Sequence, residues 1–294
     1  MNKKALIIII IIIMLLFKIS NDSNSSNVSN NSWEENDGII YCRGKDTLET
    51  KVLNGKMYTV INRGILLEWI KQGKDLSTAC TSNIEDMSGF DELEKGLFED
   101  WKYGAEFFNE DVGSWDVSNV KDMSNMFRGA SSFSQYLGKW NTSNVENMSN
   151  MFRGNNLFNS HIGSWDVSNV KDMSNMFRGA RSFDQEIGKW DVGNVINMNS
   201  MFGKASSFNQ NIGNWDVSNV KNMSNMFRGA ISFNQNIGNW DVSDVDNISY
   251  IFNGAIEFDR DISSWNLKNA KYCSDFNKNS GLTQGKIPNL NNCK

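Results

Sequence analysis

The sequence predicts an α/β solenoid, a right-handed coil capped at both ends, in which each 25-residue turn contributes one short parallel strand and one short helix. Three observations predict it. Trp115, Trp140, Trp165, Trp190, Trp215, Trp240 and Trp265 recur at one constant interval, in phase with Phe108, Phe133, Phe158, Phe183, Phe208, Phe233 and Phe258. In Trp215-Asp216-Val217 the apolar residues alternate with polar neighbours, the period of a strand. In the next stretch Val220, Met223, Met226 and Phe227 have helical spacing. Ser218 or Asn219 serves as N-cap there and Gly229 as the stop.

Curvature follows from the spacing of those elements. Strands sit about 4.8 Å apart and packed helices about 8–10 Å apart, so the coil is expected to bend with its sheet on the concave side; an irregular or 3₁₀ segment in place of the helix would make it straighter. The Trp, Phe and Met ladders are expected to be core. Of the outward positions, Asp116, Asp166, Asp191, Asp216 and Asp241 form the candidate concave binding face. Three roles are open to these carboxylates: accepting backbone N–H bonds or pairing with lysine, forming a polar ligand surface, or holding Ca²⁺ between adjacent turns. Arg128, Arg153, Arg178 and Arg228 follow Phe at the expected helix ends, where a cation suits the helix dipole and an anion-binding stripe is the other reading.

The flanks differ from the regular turns, as caps must. Residues 38–107 are expected to form an N-terminal cap, with a strand at Met57–Ile61 and a helix at Arg63–Gln72 between Asn62 as N-cap and Gly73 as stop. Ser82-Asn83-Ile84-Glu85-Asp86-Met87-Ser88 is a degenerate first turn, out of phase because Ile84 lies further from Val120 than one regular period. The regular array runs over 108–264, and 265–294 form the C-terminal cap.

Ahead of the caps, Asn2-Lys3-Lys4 precedes an apolar run from Ala5 to Phe17, which marks 1–20 as a signal peptide or an N-terminal membrane anchor. No cysteine precedes Cys42. Residues 21–37 are rich in Asn and Ser and are expected to be a disordered stalk. The four cysteines, Cys42, Cys80, Cys273 and Cys293, flank the regular turns. An exported chain permits disulfides. Of three possible pairings, Cys42–Cys80 with Cys273–Cys293 is the one that does not join opposite ends of a long coil.

The 294 residues carry 29 basic and 34 acidic side chains, net −5, which argues against a nucleic-acid binder. A single histidine leaves little room for Ser-His-Asp, Cys-His or multi-histidine metal chemistry. His161 lies where Asn155-Asn156-Leu157-Phe158-Asn159-Ser160-His161 departs from the repeat, and it is expected to be a surface loop residue. No phosphate loop, nucleophile elbow or metal motif is visible, so no enzyme, cofactor or metal is expected.

The string Trp-Asp-Val-Ser-Asn-Val-Lys-Asp-Met-Ser-Asn-Met-Phe at 115–127 resembles the repeat of BspA-like leucine-rich-repeat surface proteins. The same unit is similar to that of mycoplasma surface lipoproteins. The resemblance covers 108–265 and extends to Asn54–Val60, to Cys80-Thr81-Ser82 and to the Cys-terminated tail. It implies a leucine-rich-repeat-like fold and a non-enzymatic protein, secreted or exposed at the cell surface, used in adhesion or recognition. The expected partner is a protein or glycan on another surface, bound through the concave face. Residues 5–17 are the expected membrane anchor if they are retained. A structural coat protein that self-associates without a specific ligand is the rival.

Overall fold

The structure, a computed structural model, describes residues 32–89, 95–101, 104–291 and 293. The expected signal or anchor at 1–20, and residues 21–31 of the expected stalk, lie outside the described residues. All described elements belong to the unit Ser32–Lys294.

Two hairpins begin it. β1 (Ser32–Asn36) pairs antiparallel with β2 (Ile39–Arg43) around Asp37-Gly38, and so falls inside the segment 21–37 expected to be stalk. β3 (Thr50–Leu53) pairs antiparallel with β4 (Lys56–Val60) around Asn54-Gly55. Both turns place two successive residues at positive φ, the pair of conformations that Asp-Gly and Asn-Gly supply to two-residue hairpins. α1 (Arg63–Gln72) follows as expected: the Asn62 side chain accepts from the Ile65 N–H, and Gly73 ends the helix at φ 62°. It buries Leu66 and Ile70 and returns the chain to β5 (Ala79–Cys80), parallel to β4. A disulfide joins Cys42 on β2 to Cys80 on β5, and Cys273–Cys293 closes the far end.

The α/β solenoid is overturned in the repeats. Among the described residues no helix and no extended strand lies between Phe107 and Gln284, and α1 is the only α-helix. Each repeat is turns and coil. Successive repeats share one parallel bridge each, running Asp86, Asp122, Asn147, Asp172, Asn197, Asn222, Asn247 and Tyr272. The two small sheets lie ahead of the array, so the inner sheet of strands, and the concave face it was to form, are absent.

The backbone bonding explains the failure. Helical spacing at Val120, Met123, Met126 and Phe127 demands amides bonded four residues back. Here the amides of Met123, Asn125, Phe127 and Gly129 donate instead to Asn147, Ser149, Met151 and Arg153 of the next repeat, at 2.8–2.9 Å. Met126, Arg128 and Ala130 bond only three residues back, closing three linked turns. The turns alternate because Asn125 and Gly129 are left-handed, at φ 57° and 76°. Asn and Gly are the residues that tolerate that conformation at the third position of a turn. The Trp-Asp-Val stretch closes turns too, with the Trp215 N–H on Ile212 O and the Val220 N–H on Val217 O.

The expected core is present. Phe127, Phe152, Phe177, Phe202, Phe227 and Phe252 are fully buried and stack on one another at 5.5–5.8 Å between centroids. Each packs face to face with the Phe of its own repeat, as in Phe177–Phe183 at 3.9 Å. The tryptophans are nearly as buried and hand their indole N–H to the previous repeat, as Trp165 Nε1 does to Leu137 O at 2.9 Å. A buried indole N–H needs such a partner. Packing is tight enough to demand glycine: a Cβ on Gly188 would stand 2.3 Å from Asn211 O.

Candidate functional site

Regular repeats expose an Asx unit in a turn: Asp-x-Ser at 166, 216 and 241, Asp-x-Gly at 191 and Asn-x-Ser at 141. Asp166 Oδ1 accepts from the Ser168 N–H at 3.0 Å and its hydroxyl at 2.6 Å. Asp216 does the same with Ser218 at 3.1 and 2.7 Å. Asp191 accepts from the Gly193 N–H at 3.1 Å and Asp241 from the Ser243 N–H at 3.0 Å. Asn141 and Asn266 occupy the same place and accept the same bond. These are Asx turns, in which the side chain stands in for a backbone carbonyl. Serine hydroxyls first, and backbone N–H groups second, hold Asp166, Asp216 and Asp241 below the ordinary carboxylate range.

Asp116 departs from the expected face. It is buried, and its Oδ2 accepts from Ser82 Oγ at 2.6 Å while Oδ1 accepts from the Ser118 N–H at 3.0 Å. Arg43 approaches it at 3.9 Å. It belongs to the joint between the N-terminal cap and the first regular repeat, and ligand cannot reach it. Asp166, Asp191, Asp216 and Asp241 remain as an exposed file. Their Oδ1 atoms are committed to turns, and among the described residues no three His, Cys, Asp or Glu side chains gather to hold a metal.

A second set of ladders lies beside them. Asn144, Asn169, Asn194 and Asn219 each donate Nδ2 to a carbonyl of the previous repeat at 2.6–2.7 Å. Lys171 meets Glu146 at 2.6 Å and Lys221 meets Asp244 at 2.8 Å, both on the surface. His161 is exposed, as expected, beside Glu186 and Lys189 in an open groove of about 440 Å³.

The arginines have a different setting from the one expected. With no helix, there is no dipole for them to face. Arg178 Nη1 instead donates to Asn175 Oδ1 at 3.3 Å, and Arg228 Nη1 to Asn225 Oδ1 at 3.4 Å. Arg128 and Arg153 make the same bond to Asn125 and Asn150. The left-handed asparagine thus orients the arginine three residues on. Sequence spacing could not show this, because it depends on the turn conformation.

Among the described residues no helix is long and apolar enough to cross a membrane. Neither a curated protein nor a solved structure matches the chain significantly. A family model does match, twice in overlapping registers, over residues 95–212 and 182–289, and so takes in the whole array of stacked repeats. The chain therefore belongs to the family described as Mycoplasma protein of unknown function, DUF285.

Proposed function

We propose that this is a non-enzymatic recognition protein of the cell surface, of the BspA-like kind, whose exposed side-chain ladders bind a protein or glycan on another surface. The observation that carries the reading is the in-register file of exposed polar side chains over a fully buried aromatic core. Such a stack presents a long preformed surface at little ordering cost, which is how repeat arrays bind. Two disulfides confined to the caps suit an oxidising, extracellular setting.

The test is binding of the full chain in detergent to an array of glycans and matrix proteins, with and without Ca²⁺. A specific hit weakened by Asp166→Ala, Asp191→Ala and Asp216→Ala together supports the reading and places the contact on the exposed Asp file. A hit unchanged by them moves the contact elsewhere on the stack. One observation favours the coat-protein alternative: Ile231 and Ile256 occupy equivalent, exposed positions in adjacent repeats, where they offer a lateral packing surface. Concentration-dependent self-association with no hit on the array would select it.

A further inference from the structure

Within the array, the repeat that holds Trp215 departs from its two neighbours at two dipeptides. Ser174-Asn175 and Ser224-Asn225 flank Asn199-Ser200, and Arg178-Gly179 and Arg228-Gly229 flank Gly203-Lys204. The arginine and the asparagine that would orient it are lost together here, as they are at Tyr250 and Asn253, but here a cation returns one position later. Lys204 takes the left-handed slot, φ 60°, that Gly179 and Gly229 fill in the neighbouring repeats, while its N–H keeps the 2.7 Å bond to Arg228 O. A lysine held in that conformation is strained, and strain that persists marks a place worth testing for function.

The exchange opens a notch of about 80 Å³ lined by Arg178, Ser200, Gly203, Lys204, Asn225 and Arg228. Gly203 is its buried floor. Arg178 borders that floor, since a Cβ on Gly203 would lie 3.6 Å from Arg178 Cγ. The Lys204 stem crosses toward the next repeat, since a Cβ on Gly229 would lie 3.5 Å from Lys204 Cγ. Arg228 closes the third side, its guanidinium over the Tyr250 ring at 5.5 Å from the centroid. Among the described residues no carboxylate pairs with Arg178, Lys204 or Arg228. Each guanidinium commits one of its five N–H donors to an asparagine and keeps others for a ligand.

The surroundings extend the pattern. Segments 148–158, 173–183, 198–208 and 223–233 carry Arg153, Arg178, Arg181, Lys204 and Arg228 and no Asp or Glu, in a chain whose net charge is −5. Arg153, Arg178, Lys204 and Arg228 therefore recur along the stack without an intervening acid in these segments, stepping one repeat at a time, about 4.8 Å at the bridges. We propose that the notch binds one oxyanion of an extended acidic polysaccharide, a sulfate ester, with the cations of the adjoining repeats tracking its neighbours. Guanidinium and ammonium groups around a recess suit a tetrahedral oxyanion. The volume admits a few waters, and so a group of that size. Nucleic acid fits less well: the nearby Tyr250 ring is covered by Arg228 where a base would stack. This inference rests on the surface-recognition reading and names its ligand class.

The full chain in detergent is titrated with heparin, a sulfated polysaccharide, by calorimetry at low and at physiological salt. The decisive variant exchanges the dipeptide back, Gly203→Arg with Lys204→Gly. It preserves net charge, fills the notch and relieves the strain. We expect binding by the natural chain, weakened by salt, and at least a tenfold loss in the exchanged variant together with a raised melting temperature. Lys171→Ala with Lys221→Ala, which removes two cations elsewhere, leaves binding within twofold. Equal binding by the exchanged variant, equal binding of an unsulfated polysaccharide, or preference for vesicles of anionic phospholipid would each overturn the site. If heparin fails while another glycan or matrix protein on the array binds, the notch assignment falls and the recognition reading stands. If nothing on the array binds, both fall.

Discussion

Asp216 shows how much one side chain does here and how little of it is special to a carboxylate. Its Oδ1 closes a turn onto Ser218, and Asn141 closes the equivalent turn with an amide. Asp216→Asn should therefore leave thermal stability nearly unchanged. Asp216→Ala should cost about 0.5 kcal/mol in denaturant unfolding, the low end for a lost side-chain cap because the site is exposed to water. The carboxylates do matter to acid stability. Asp166, Asp216 and Asp241 titrate below their ordinary value of 3.8, so they stabilise the fold above that pH, and the contribution is lost as pH falls through the lowered folded values. Replacing all three by Asn should flatten the loss of melting temperature below about pH 4, read by calorimetry. Gly188 is the opposite kind of residue, needed for lack of a side chain. Gly188→Ala would press a methyl onto Asn211 O and should cost about 1–3 kcal/mol, the usual penalty of overpacking.

Among the elements, the caps and the repeats differ in how legible they were. α1 was readable because its signals are local: an N-cap at Asn62, an apolar stripe, and Gly73 in the left-handed conformation. The repeat turns carry the same kinds of signal, Ser-Asn ahead and Gly behind, with apolar residues at helical spacing. They fold otherwise because Asn125 and its counterparts flip the chain at mid-segment and turn alternate amides to the next repeat. Periodicity records which residues face the core, and a chain of linked turns buries Val120, Met123, Met126 and Phe127 as a helix would. The cysteines are element-scale features as well. Cys42 and Cys80 are fully buried, whereas Cys293 is partly exposed. Limited reductant should open Cys273–Cys293 first, seen by mass spectrometry of alkylated thiols. Loss of either bridge should lower stability by about 3–4 kcal/mol in the loop-entropy account.

Considered as a whole molecule, the array is a sum of near-identical units, each bonded to its two neighbours. Excising one whole repeat, 166–190, keeps every Trp, Phe, Asn and bridge position in register, and the shortened chain should fold with a modestly lower melting temperature. Excising half of that repeat, 166–177, breaks all of the ladders and should prevent cooperative unfolding. Among the described residues α1 is the only α-helix, with 10 residues, so the described part should contribute little to the helical minima in far-ultraviolet circular dichroism.

What the sequence determined by itself was the repeat, its core and its ends. A regular recurrence of Trp and Phe identifies the buried side chains whatever the backbone does, because burial depends on composition and phase. It also indicated which cysteines could meet, since stacking keeps the two ends apart. Only the tertiary structure decided the conformation of each repeat and the chemistry of its surface. Those depend on where each amide finds its carbonyl, and here the partner lies in the next repeat, as Met123 bonds Asn147. The same long-range pairing buries Asp116 while leaving Asp166 exposed, and it sets Arg178, Lys204 and Arg228 around one recess although two whole repeats of chain separate the first from the last.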